Sequence, residues 1–168
     1  MKVILQPCGN SVAQKNFVDT IEKKIPVNDI YNDLSEIEQE VVNTFPFQEI
    51  AVWGVTAGKN NVNKVDWEKI NPNDIALFYK ENKFYSQGSI LCRFQNKSLA
   101  EKIWGLKDDG ETWECMYFFK EIKEISIDIK EFNELLSYGE ENKIFKFRVL
   151  DENKSNLIIQ HFKLLNLN

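Results

Sequence analysis

The chain has 168 residues, 43% of them hydrophobic and 28% charged, with a formal net charge of −5. Such a mix fits one globular domain with a sizeable core and excludes a disordered chain. It also excludes a helical membrane protein, since no apolar run approaches the roughly 20 residues of a membrane span.

"MKVILQP" reads as a short buried strand ended by Pro7 and Gly9. From Asn10 the pattern turns helical, with Ala13, Phe17 and Ile21 recurring at i+4 until Pro26. A second helix is expected from Ser35, which has the capping-box spacing to Glu38; Ile37, Val41, Val42 and Phe45 form its apolar stripe and Pro46 closes it. After Ile50 strands take over. "IAVWGV" is the first, and "DIALFYK" follows with Ile75, Leu77 and Tyr79 on one face and Ala76 and Phe78 on the other. A tight turn at "ENK" leads into "FYSQGSILCRF", where Gly88 marks a bulge or a close backbone approach. "NKSLAEKIWG" is a short helix with Asn96 as cap and Gly105 as stop. A long strand, "TWECMYFFKEIKEISI", bends near Glu121; "FKFRVL" is the last strand and "NKSNLIIQHFKLL" a closing helix with Leu157, Ile158, His161, Phe162 and Leu165 on one side. The expected fold class is α+β, a curved and mostly antiparallel sheet or small barrel covered by helices. One domain spans residues 1–168: a strand and two helices over 1–48, a barrel core over 49–150 and a C-terminal helix over 151–168.

Enzyme chemistry finds little purchase. Gly54 to Gly58 is one residue short of a phosphate-binding loop, and Lys59 is followed by Asn60 instead of a metal-binding hydroxyl. The single histidine, His161, sits on the apolar side of the terminal helix, where a core or helix-end role outweighs general-base work. Cys8, Cys92 and Cys115 form no Cys-x-x-Cys pair, which argues against a zinc site or a disulfide framework and for a reducing, cytoplasmic setting. Cys92 and Cys115 read as small core residues, and Cys8 as a turn residue open to solvent. "DDGE" at 108–111 lacks the ligand pattern of a calcium loop and reads as a turn. No catalytic residue, metal site or cofactor is expected, and residues 1–10 lack the shape of a signal peptide.

Charge and aromatic residues point elsewhere. Residues 58–107 carry nine basic side chains against five acidic ones, a positive stretch inside an acidic chain. All four tryptophans lie between 53 and 113: Trp53 ending a strand, Trp67 beginning a short helix, Trp104 at a helix end and Trp113 opening a strand. Two such indoles facing each other would suit a nucleobase, since each stacked base is worth on the order of 1–3 kcal/mol.

The ordered set "PCGN", "VWGVTAGKN", Trp67, "NDIALFYKENKFYSQGSI", "LAEKIWG" and "DDGETWECMYFFKEI" resembles the YTH/EVE-like branch of the PUA superfamily. It is most similar to versions found at the N-terminus of McrBC-type modification-dependent restriction systems. The resemblance covers about residues 1–165 and implies a PUA-like barrel that reads a modified base, flipped from DNA or presented in RNA, in an aromatic cage. N6-methyladenine and 5-methylcytosine are both open as the base. The cage residues it implies are Trp53 and Trp104, with Trp67 ambiguous and Trp113 either a structural residue or one standing behind the cage. Gly54, Thr56 and Asn60 would meet the base edge, and Lys59 and Lys64 the phosphates. The implied partners are modified DNA, or RNA, and a GTPase or nuclease on other domains or chains, the module itself being no enzyme. A protein- or small-molecule-binding domain whose aromatics only fill the core is the alternative.

Overall fold

The computed structural model describes residues 1–44 and 48–164. Strand β1 (Val3–Pro7) is buried on both faces along its first four residues. Asn10 then caps helix α1 (Ser11–Phe17), its side chain accepting the Ala13 N–H at 2.8 Å. The helix runs on into a wider π-type turn, Val18–Glu22. Within that turn the buried Thr20 hydroxyl donates to the Val52 carbonyl at 2.7 Å, binding the turn to the sheet. Strand β2 (Ile25–Pro26) and helix α2 (Val27–Ile30) follow, and helix α3 (Glu36–Asn43) opens with the expected capping box at Ser35 and Glu38. In α3, Val42 is buried, whereas Ile37, expected in the stripe, is exposed. Phe45 and Pro46, expected in and after that stripe, lie outside the described residues.

Strand β3 (Glu49–Val55) leads through a turn with left-handed Asn60 and Asn61 into helix α4 (Val62–Trp67), so Trp67 ends its helix instead of beginning it. Strands β4 (Ile75–Lys80) and β5 (Lys83–Gln95) form a hairpin whose two turn residues, Glu81 and Asn82, both have positive φ, as a type I′ turn requires. Helix α5 (Lys97–Trp104), strand β6 (Cys115–Asp128) and helix α6 (Ile129–Leu135) come next. The chain closes with strand β7 (Arg148–Val149) and helix α7 (Glu152–His161). In α7, Ile158 is buried and Ser155 accepts the Val3 N–H at 2.9 Å, whereas Leu157 and His161 are exposed; Leu165 lies outside the described residues.

The seven strands form one sheet in the order β2-β3-β6-β5-β4-β1-β7. Only β1 and β4 run parallel among the paired neighbours; the other pairings are antiparallel. The sheet therefore has two ends and is not a closed barrel, which corrects the expected closure. Register shifts along β5 and β6 insert bulges, and bulges bend a sheet. Gly88 lies among them with no room for a side chain, because a Cβ there would run into the Phe119 ring.

Strand alternation sorts the core. On one face Ile4, Ala51, Trp53, Ala76, Phe78, Tyr117 and Phe119 pack under α1 and α4. On the other face lie two further clusters. One joins β1 and β4 to α6 and α7 through Leu5, Leu77, Phe132 and Ile158. The other joins β3 and β6 to α2, α3 and α5 through Ile30, Val42, Val52, Leu99 and Phe118. No helix among the described residues is long and apolar enough to cross a membrane.

Candidate nucleic-acid interface

The two ends of the sheet face each other across a gap. Strand β2 pairs only with Glu49 and Ile50, so the rest of β3 lacks a neighbouring strand on that side. Strand β7 pairs only with Ile4 and Leu5, leaving the end of β1 open in the same way. Between these edges lies a cavity of about 300 Å³, lined from one side by Gln6 and Asn10 and from the other by Trp53, Gly54, Thr56 and Trp113. Residues 145–147, leading into β7, complete its rim. Val52 and Gly54 share the alternation of β3; Val52 already gives its carbonyl to Thr20, and the backbone groups of Gly54 point toward the same seam.

Trp53 is nearly sealed at 3% exposure, locked edge-on against Phe78 with ring centroids 5.2 Å apart. Its indole N–H is buried and has no acceptor in the protein. The Trp104 indole N–H is likewise buried without an acceptor, and each such orphan costs roughly 1–3 kcal/mol. Trp113 is half-buried and crosses β3 at Gly54, where a side chain would collide with the Trp113 carbonyl and lie 2.9 Å from the Trp104 ring. Opposite them, the buried Gln6 is oriented by Tyr117, whose hydroxyl donates to Gln6 Oε1 at 2.9 Å. The Asn63 side chain reaches the same cavity and donates to the Thr56 carbonyl at 3.2 Å, holding that loop in shape.

The structure thus regroups the residues expected from sequence. Trp53, Gly54 and Thr56 reach one cavity. Trp104 does not share it: Trp53 belongs to the cluster on one face of the sheet and Trp104 packs on the other, so the two indoles do not face each other. Trp104 instead stands behind Trp113, with ring centroids 6.3 Å apart at 67°. Trp67 is a core residue at 4% exposure; its N–H donates to the Met116 carbonyl at 3.0 Å and the Arg93 guanidinium covers its ring. Asn60 is exposed in the turn after β3, and it is Asn63 that lines the cavity. Lys59 is exposed in that turn and Lys64 is half-buried on α4.

Two sequence expectations about reactive groups change. Cys8 is fully buried, not open to solvent, and burial raises its thiol pKa. Burial likewise pushes Cys92 up to about 12 and Cys115 up to about 11, so these thiols stay protonated at neutral pH. His161 is the last residue of α7, the helix-end place expected, but it is exposed instead of lying on an apolar face, its Nε2 3.0 Å from a Glu131 carboxylate oxygen.

No protein-family model matches the sequence, and no curated protein matches it. Among solved structures, the fold is similar to that of the N-terminal domain of Thermococcus gammatolerans McrB, determined bound to m5C DNA. The TM-score is 0.70 over 97% of this chain and 98% of that one, at 18% sequence identity. At that identity the likeness is one of fold: a mixed α+β domain built on the same plan.

Proposed function

We propose that this chain is a modified-base reader for DNA, with a PUA-like, YTH/EVE-type scaffold, which holds an extrahelical base in the seam cavity between β1 and β3. One observation carries the proposal. A cavity of about 300 Å³ opens between the sheet edges beside Gly54, where Trp53 and Trp113 meet the polar side chains of Gln6, Asn10 and Asn63. Aromatic surface with a few convergent hydrogen-bonding groups is what a flat, polar-edged ligand requires. A base inside a duplex reaches such a recess only by leaving the stack. The similar McrB domain, which binds m5C DNA, supports DNA as the partner. In this reading the chain performs no reaction. In a modification-dependent defence system, GTP hydrolysis and cleavage would belong to other domains or partners.

The test is a fluorescence binding screen over DNA and RNA oligonucleotides that differ only in one base: unmodified, 5-methylcytosine or N6-methyladenine. The wild-type chain is expected to favour one modified DNA. Trp113→Ala should abolish that preference, because it deletes a wall, while Trp104→Ala should weaken it only through loosened support. A Trp113→Ala protein that stays folded and keeps the wild-type preference refutes the seam cavity as the site. Preference for modified RNA would redirect the function to RNA.

A further inference from the structure

Phe145 is 81% exposed, yet it stands at the rim of the seam cavity. Its neighbours explain why it is presented and not hidden. Ile144, just before it, is buried in the cluster under α6 and α7, and Phe147, two residues after, is buried in the cluster under α1 and α4. The loop is thus anchored in both cores with Phe145 at its crest. From behind, the buried Asn133 side chain fixes the approach: its Nδ2 donates to the Asn142 carbonyl at 3.0 Å and to the Glu140 carbonyl at 3.3 Å. The Asn142 amide donates back to Asn133 Oδ1 at 3.3 Å. Lys143, Lys146 and Arg148 line one hollow with Phe145, and Lys80, Glu81 and Lys143 line another with it, so cations outnumber the one carboxylate there. A large apolar side chain presented to water beside cations matches one occupant: the interior of a base stack flanked by phosphates.

We propose that Phe145 is a wedge that enters the duplex where the target base has left, stacking on the exposed neighbours while the base occupies the seam cavity. This rests on the base-reader function proposed above and adds the residue that holds the duplex open. Flipping leaves a gap whose faces are apolar, and an aromatic ring restores the lost stacking. Lys143 and Lys146 would meet the phosphates on either side of the gap.

Comparing one modified base in two contexts separates the wedge from the cavity. Phe145→Ala and Phe145→Trp proteins are titrated with a duplex and with a single strand carrying the same modified base. A duplex has a gap to fill; a single strand has none. Phe145→Ala is expected to lose about 10- to 100-fold in duplex affinity and to bind the single strand as wild type does. Phe145→Trp should retain duplex affinity. Because the side chain is exposed, both variants should melt with the wild type. Equal losses on both substrates, or none on the duplex, overturn the wedge while leaving the cavity intact. A wild-type protein that distinguishes modified from unmodified DNA in neither context overturns both. Phe145→Ala that leaves DNA binding unchanged but dissolves a self-association would make the crest a protein contact and also overturn the wedge.

Discussion

Gly54 carries the geometry of the seam, and Gly54→Ala tests it most directly. A Cβ at this position would collide with the Trp113 carbonyl and lie 2.9 Å from Trp104 Cζ3 and 3.0 Å from Trp113 Cβ. Non-bonded heavy atoms pack at roughly 3.5–4.0 Å, so the Trp113 backbone, whose carbonyl makes the tightest clash, must retreat by more than about 1 Å. The opposing atoms include backbone, which cannot swing away as a long side chain would. Overpacking of this kind costs about 1–3 kcal/mol. In a domain of this size each kcal/mol lowers the melting temperature by roughly 2–4 °C. The expected result is a midpoint lower by several degrees, together with lost preference for the modified base, because the displaced Trp113 no longer walls the cavity. Gly9→Ala is the matched control, since a Cβ there meets nothing within 4 Å. Thermal melting and the binding screen are run on both. Gly54→Ala that melts and discriminates like the wild type refutes the close crossing of Trp113 over β3.

Trp67→Phe should lower stability by about 1–3 kcal/mol in urea unfolding, through its lost N–H bond to Met116 and the smaller ring, and leave base preference unchanged. Loss of preference would return Trp67 to the site. Asn133→Ala strips the 140–145 loop of its side-chain anchors, so hydrogen exchange there should quicken while the sheet stays protected; unaltered exchange refutes the anchoring. The buried thiols predict an alkaline limit. Cys115 is raised in the folded state from 9.0 to about 11, so its contribution is whole below about pH 9 and lost as pH rises toward 11. Cys115→Ala should flatten the stability profile in that window, and an unchanged slope refutes the assignment.

Local structure was legible because local signals set it. The capping box at Ser35 and Glu38, the caps at Asn10 and Asn96, and the alternation of Ile75, Leu77 and Tyr79 against Ala76 and Phe78 all depend on neighbours within a few residues. The partnership of tryptophans was not legible in the same way. Trp53 and Gly54 are adjacent, so strand alternation sends them to opposite faces, and Trp104 comes to lie on the Gly54 face. Only the sheet order, which the sequence does not display, decides that Trp113 and not Trp104 reaches the cavity beside Trp53. "FKFRVL" misled differently. As a strand it would put Phe145 and Phe147 on one face, but only Arg148–Val149 pairs, and the looser backbone buries Phe147 and presents Phe145. The usable signal was Phe145 between Lys143 and Lys146, an apolar residue among cations outside any regular element.

For an acidic chain to take up DNA, as proposed, cations must stand where phosphates would run, and three lysines stand near the seam. Lys146 lines the seam cavity, Lys143 lines the two hollows beside it, and Lys59 stands exposed on the turn that continues β3. Each phosphate neutralised releases counterions, so a lysine that contacts one should lower the slope of log K against log salt by about 1 when replaced. Lys143→Ala and Lys146→Ala are expected to do this while leaving the ratio of affinities for modified and unmodified duplex intact, since phosphates are common to both. Trp113→Ala should do the reverse, erasing the ratio and sparing the slope. The two quantities come from one set of titrations at different salt concentrations, so each variant reports on both. If the lysine variants change the ratio, or the tryptophan variant changes the slope alone, then backbone and base are not read by separate groups around the seam.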